Sequence, residues 1–248
     1  MTLYGLIGFP LGHSFSAAFF TEKFSREGID AQYRNFELED LGELMELLSE
    51  YPDLRGFNVT IPYKQQIIPY LTEVSPEARE IGAVNVVAVD HDPDGNVTAM
   101  RGFNTDAPAF ARTLAPLLPA EAVSALVLGT GGASRAVCHA LAALGVPYTL
   151  VSRTPGEGRL TYADVTPEVI AANRVIVNTT PLGMSPKTDA CPDIPYSALT
   201  PGHVCYDLVY NPAETLFLKK AAERGATTRN GLDMLHLQAL LAWAIWNR

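Results

Sequence analysis

Residues 129–134 read Gly-Thr-Gly-Gly-Ala-Ser and follow the apolar run Ser124–Leu128 directly. A glycine-rich turn between a strand and a helix is a device for binding the pyrophosphate of a dinucleotide. Gly129 permits the tight turn, Gly131 lets the backbone approach the phosphates, and Ser134 is small enough for close helix–strand packing. Free N–H groups at the helix start, with their partial positive charge, then face the anion. A glycine triplet alone is a weak signal; its place between a strand and a helix points to nucleotide binding. The cofactor type is read one strand later. An NAD site places Asp or Glu at the end of the second strand, to hold the ribose 2′-hydroxyl. Here that strand ends Val151-Ser152-Arg153-Thr154, without an acid. Arg153 beside two hydroxyls suits a 2′-phosphate, so the sequence leans to NADP. The same Arg also fits a solvated turn.

A second set of polar residues lies in the first half of the chain. Ser14 and Ser16 follow the first apolar run, Asn58, Thr60 and Lys64 surround Val59–Pro62, and Asn104, Thr105 and Asp106 close the segment. Singly, Ser caps helices, Asn and Asp make turns and Lys is solvated. Asn85 differs, because an amide amid Val84, Val86 and Val87 needs a partner. Cys138, Cys191 and Cys205 form neither a disulfide framework nor a zinc pattern. They read as reduced, mostly buried thiols, and no metal is expected.

These residues need an α/β scaffold. Leu3–Phe9, Tyr33–Glu37, Gly56–Ile61 and Ala83–Val89 read as strands, with helices over Ser14–Glu27 and Leu41–Ser49. From residue 123 the alternation is cleaner: strands at Ser124–Leu128, Tyr148–Val151, Arg174–Asn178 and His203–Leu208, and helices at Arg135–Leu144, Glu214–Arg224 and Asp233–Trp246. The boundary between the two patterns is expected between Asn104 and Pro119. One connection is unusual. Parallel strands need a crossover of roughly a dozen residues, usually helical. Yet Thr154-Pro155-Gly156-Glu157-Gly158-Arg159 cannot form a helix, and Leu160–Tyr162 reads as a strand soon after.

Composition limits the classes of function. The 248 residues are 48% hydrophobic and 18% charged, the balance of a globular protein with a core rather than a disordered chain. The net charge of −9 and the lack of a Lys/Arg-rich run argue against nucleic acid and anionic membranes. The first residues are apolar, but they lack a basic region and are interrupted by Gly8, Pro10 and Gly12, so they do not read as a signal peptide. No apolar run reaches the roughly 18 residues of a membrane span. A soluble, cytoplasmic protein is expected.

The polar segments, taken in order, resemble the shikimate dehydrogenase family over nearly the whole chain. They are GFPLGHSFS (8–16), GFNVTIPYK (56–64), GAVNVV (82–87), GFNTDA (102–107), GTGGASRA (129–136), SRT (152–154), NTTPLGM (178–184), YDLVYNP (206–212) and NGLDMLHLQA (230–239). The resemblance implies a substrate-binding and catalytic domain of residues 1–103 plus 232–248. It also implies a Rossmann-like NADP domain of residues 104–231, with catalysis in a cleft between the two. It implies that Ser14 and Ser16, with Tyr210, bind the substrate carboxylate, and that Thr60, Asn85 and Gln238 bind the ring hydroxyls. Lys64 and Asp106 become the catalytic pair. Gly129, Thr130, Gly131, Gly132 and Ala133 hold the pyrophosphate; Ser152, Arg153 and Thr154 hold the 2′-phosphate; Leu208 and Gly231 flank the nicotinamide. Neither His13 nor His236 falls at a catalytic position of the family. A neighbouring carboxylate favours the Lys64 ammonium, which can donate the proton that accompanies hydride transfer; the same pair can equally orient the substrate without transferring protons.

The chain also departs from the family. The usual NRT triplet is SRT, the helix after it is replaced by a short loop, and a basic residue beyond the triplet is lost or displaced, with Arg159 a stand-in. These changes keep open an NAD-preferring quinate/shikimate dehydrogenase. A non-catalytic sensor of a small acid or nucleotide is the remoter reading, disfavoured by Lys64 and Asp106. The expected partner is shikimate or 3-dehydroshikimate, and the sequence leaves monomer or homodimer open.

Overall fold

A computed structural model of the chain describes residues 1–11, 15–121 and 123–247. It divides into two compact units, one of residues 1–105 together with the segment from Ala239, the other spanning Asp106–Gln238. Ser14 lies outside the described residues.

The first unit contains β1 (Thr2–Gly8), α1 (Phe15–Glu27), β2 (Ala31–Glu37), α2 (Leu44–Glu50), β3 (Leu54–Val59), β4 (Glu73–Val74), α3 (Pro76–Ile81), β5 (Val86–His91) and β6 (Val97–Phe103). Its sheet runs β2-β1-β3-β5-β6-β4. β1 pairs in parallel with β2 and β3, whereas β5 is antiparallel to both β3 and β6. One face buries Ile7, Leu44, Leu54, Phe57 and Val87. The other carries an aromatic layer in which Tyr4, Phe20, Phe24 and Tyr33 meet Trp243 and Trp246. Tyr4 stacks on Trp246 at 4.9 Å and Phe20 on Tyr33 at 4.7 Å, offset geometries that aromatic rings prefer. The Trp246 Nε1–H donates to the Val87 carbonyl of β5 at 3.0 Å, tying the C-terminal segment to the middle of this sheet.

The second unit contains α4 (Asp106–Leu114), β7 (Ala125–Leu128), α5 (Gly132–Ala143), β8 (Tyr148–Ser152), β9 (Arg159–Thr161), α6 (Pro167–Ala172), β10 (Val175–Asn178), β11 (Val204–Asp207), α7 (Leu216–Ala222), β12 (Thr227–Arg229) and the start of α8 (Leu232–Trp246). The sheet order is β12-β11-β10-β7-β8-β9, with every pairing parallel. β7, β10 and β11 are buried at every residue, which is why they read as unbroken apolar runs rather than as alternation.

The missing crossover is real: β8 passes to β9 through residues 153–158 with no helix. The register explains how so short a connection suffices. β9 starts level with Leu150 and ends level with Ser152, so the chain descends only two residue steps, about 7 Å, before pairing again. The two units divide between Thr105 and Asp106, within the expected stretch, and most of the rest of that stretch is helix α4, whose Ala107, Phe110 and Leu114 recur at helical spacing, with Pro108 tolerated in the first turn. Two expectations shift. The helix expected over Leu41–Ser49 opens with a tighter 3₁₀ turn, Leu41–Glu43, capped by Asp40, before α2. Asn85 stands just before β5 rather than inside it.

Candidate active site

In the first unit, strand direction gathers the polar residues at one edge. β1 and β3 are parallel, with Ile7 level with Val59, so the chain after each leaves by the same side. β5 runs the other way, with Val86 level with Asn58, so the residue before it, Asn85, lies at that edge too. The end of β6 pairs with Val86 and brings Asn104 and Thr105 there. Thr60 and Lys64, both half-buried, follow β3, and Ser16 is buried in the first turn of α1. The Lys64 carbonyl accepts the Val84 N–H at 2.7 Å, which fixes the turn that carries the lysine beside Asn85.

Several of these polar groups hold one another. Ser16 bonds the Tyr33 hydroxyl, which donates to Asn58 Oδ1 at 2.8 Å; Asn58 Nδ2 donates to the Asn85 carbonyl at 3.3 Å. Asn85 Oδ1 accepts the Thr105 N–H at 2.7 Å, and its Nδ2 donates to Thr105 Oγ1 at 3.0 Å. The partner that an amide among valines requires is therefore Thr105. Asn104 Nδ2 donates to the Ala83 carbonyl at 2.9 Å. Asn58 and Asn104 thus act as internal fasteners. Tyr33 is the buried link between Ser16 and Asn58, and burial pushes its hydroxyl pKa up. An isolated Tyr in an alternating strand gave no signal of that role.

The second unit makes a matching edge. Leu128, Val151, Asn178 and Asp207 stand level across β8-β7-β10-β11, so the residues after them share one side. Gly129 has φ +116, and a Cβ there would meet the Thr179 hydroxyl at 2.6 Å, so glycine is required by the turn itself. Gly131 has φ −82 and nothing within 4 Å of a Cβ position, so the fold leaves open space where the turn faces outward. Gly131 caps α5 without any side-chain bond, since glycine has no side chain to offer, and the Ser134 hydroxyl donates back to the Gly131 carbonyl at 2.7 Å rather than accepting from a helix N–H. The first N–H groups of α5 are left to an anion. Thr130 is exposed; Gly132 and Ala133 are half-buried at the helix start.

At the end of β8, Ser152 is buried and its hydroxyl accepts the Thr154 N–H at 3.2 Å, which shapes the turn; Arg153 and Thr154 are exposed. No carboxylate occupies this strand end, and the donor set suits a 2′-phosphate. After β11, the Leu208 N–H donates to the Asn178 carbonyl at 3.0 Å, and Gly231 lies so close to the Leu208 carbonyl that a Cβ would overlap it. Tyr210 is half-buried and its hydroxyl pKa is raised by burial. Gln238 is buried near the middle of α8, where its Nε2 donates to the Leu235 carbonyl at 2.9 Å. Asp106 is buried in the first turn of α4. Lys64 belongs to the first unit, and Asp106 opens the second.

Residues 6–87 match the family described as the shikimate dehydrogenase substrate binding domain. The shikimate dehydrogenase (NADP⁺) of Carboxydothermus hydrogenoformans is 37% identical over 98% of this chain and 91% of its own. The chain belongs to the shikimate dehydrogenase family. Two solved family members share its architecture. The shikimate dehydrogenase from Aquifex aeolicus is 38% identical, with a TM-score of 0.86 over 100% of this chain and 92% of that one. The Thermus thermophilus shikimate 5-dehydrogenase in complex with NADP(H) and shikimate is 34% identical, with a TM-score of 0.85 over 99% and 93%.

Among the described residues no cluster of His, Cys, Asp and Glu could ligate a metal. Cys138 and Cys205 are buried, and burial pushes their thiols up to about 11 and about 12. No helix among the described residues is long and apolar enough to cross a membrane.

Proposed function

We propose that the chain is an NADP-dependent shikimate dehydrogenase, which reversibly reduces 3-dehydroshikimate to shikimate for aromatic amino-acid biosynthesis in the cytoplasm. The observation that carries this reading is the edge of the second sheet, where an uncapped helix start, the open space at Gly131 and the acid-free strand end at Arg153 occur together. The polar edge of the first unit supplies most of the substrate groups, and Tyr210 and Gln238 of the second unit supply the rest. Ser16, with Ser14 and Tyr210, binds the carboxylate; Thr60, Asn85 and Gln238 bind the ring hydroxyls. NADPH, when bound, supplies the hydride, and the chain must supply the proton. Lys64 donates it to the carbonyl oxygen of 3-dehydroshikimate as that oxygen gains charge, and recovers it in the reverse direction. Asp106 is the carboxylate that pairs with Lys64 in this transfer.

Steady-state assays with shikimate and quinate, each with NADP⁺ and NAD⁺, test the reading. The highest kcat/KM is expected for shikimate with NADP⁺. A preference for quinate with NAD⁺ would replace it with the quinate/shikimate alternative, and no turnover in any combination would favour a sensor.

A further inference from the structure

Asp207 ends β11 and is fully buried, yet none of the roles above uses it. Its Oδ1 accepts two hydrogen bonds, from Asn178 Nδ2 and from the Val209 N–H, both at 3.0 Å. Its Oδ2 accepts the Thr215 hydroxyl at 2.6 Å. Asn178 in turn accepts the Thr180 N–H at 3.0 Å and the Thr180 hydroxyl at 2.6 Å. One carboxylate therefore joins the ends of β10 and β11 to the cap of α7.

The Val209 N–H and the Leu208 carbonyl belong to the same peptide group, which is planar and rigid. Holding the N–H therefore aims the carbonyl. That carbonyl lies against Gly231, and the Gly231 N–H donates to the Val209 carbonyl at 3.2 Å. Both sides of the Leu208–Gly231 pair are thus fixed through the residue that Asp207 grips.

We propose that Asp207 is a positioning residue for the nicotinamide end of the cofactor, acting by locking the Leu208–Val209 peptide against Gly231. The proposal rests on the reading that Leu208 and Gly231 flank the nicotinamide. It assigns Asp207 no part in the adenosine end, which lies with Arg153 on the other side of the glycine turn in sheet order.

The test separates the two ends of the cofactor. Bound NADPH is followed by its nicotinamide fluorescence, and the adenosine end by the affinity for 2′,5′-ADP. In Asp207→Ala, kcat and the nicotinamide fluorescence enhancement are expected to fall, kcat by roughly tenfold, the scale of one lost buried hydrogen bond to a charged group. Affinity for 2′,5′-ADP is expected to hold. Asp207→Asn keeps Oδ1 and should restore both signals, since the Thr215 hydroxyl can turn to accept from the new amide. Should the alanine variant not fold, Asn178→Ser, which removes one support of Oδ1, is expected to show the same split in weaker form. Equal loss of NADPH and 2′,5′-ADP binding, or an alanine variant with unchanged kcat and fluorescence, would overturn the proposal. A wild-type chain that binds 2′,5′-ADP but gives no nicotinamide signal would instead remove the assignment of Leu208 and Gly231 beneath it.

Discussion

At Gly131 the demands of folding and of ligand binding come apart. Its backbone suits any residue and a Cβ there meets nothing, so Gly131→Ala should leave the unfolding midpoint unchanged or raise stability by up to about 1 kcal/mol. The same methyl group occupies the space in which a pyrophosphate approaches, so KM for NADP⁺ should rise, by roughly tenfold. Unchanged KM would remove the phosphate role of the turn. Arg153→Ala makes the companion prediction: charge-assisted hydrogen bonds to a 2′-phosphate are worth about 1.5–3 kcal/mol, so KM for NADP⁺ rises about tenfold or more while NAD⁺ use is unaffected. Equal loss with both cofactors would make the arginine structural. For the proton, Lys64→Ala should lower kcat by roughly 10²–10⁴-fold with a much smaller change in shikimate KM. Asp106→Asn should lower kcat as well, and the double variant should lose less than the product of the single losses, because residues acting as a unit are not additive. A Lys64→Ala enzyme with near wild-type kcat eliminates this mechanism. Most of these residues were singled out by short motifs in the right order rather than by spacing. Asp207 and Tyr33 escaped because their partners, Asn178 and Asn58, lie far off in sequence, and neither type stands out in its own segment.

Among the elements, the continuous apolar runs were legible, whereas β6 and α4, which mix polar and apolar residues, were not. β7, β10 and β11 announce themselves as apolar runs, and the absent crossover follows from Pro155, Gly156 and Gly158, which no helix tolerates together. β4 and β12 have two and three residues, too few to show any period. Their pairing is set by the neighbouring strand, not by their own composition. The end of α8 shows what tertiary contact adds. Its residues read simply as an apolar helix, but Trp246 both stacks on Tyr4 and donates to the Val87 carbonyl. Trp246→Ala should destabilise the first unit by about 3 kcal/mol, the low end for a large aromatic because the ring is only half-buried. Chemical denaturation followed by the remaining aromatic signals reads this directly; a loss below about 1 kcal/mol would show that the aromatic layer does not depend on the helix.

For the molecule as a whole, Asp207 sets an unusual slope of stability with pH. Burial raises its pKa to about 6, against about 3.9 for an unfolded Asp. The native state therefore binds the extra proton between these values, and stability from this group is greatest below about pH 4 and lost as pH rises towards 6. The gap between the folded and unfolded values corresponds to about 3 kcal/mol. Urea unfolding midpoints of Asp207→Asn, compared with wild type across that range, should lack this decline. If both proteins show the same pH dependence, the carboxyl does not titrate as its burial requires. The two-unit organisation has a consequence in time as well. The aromatic face of Tyr4, Phe20 and Phe24 is made early, but Trp243 and Trp246 follow only after all of residues 106–238. At about 5–20 residues per second, a nascent chain carries that apolar face uncovered for on the order of ten seconds on the ribosome, an interval in which chaperones have an obvious handle.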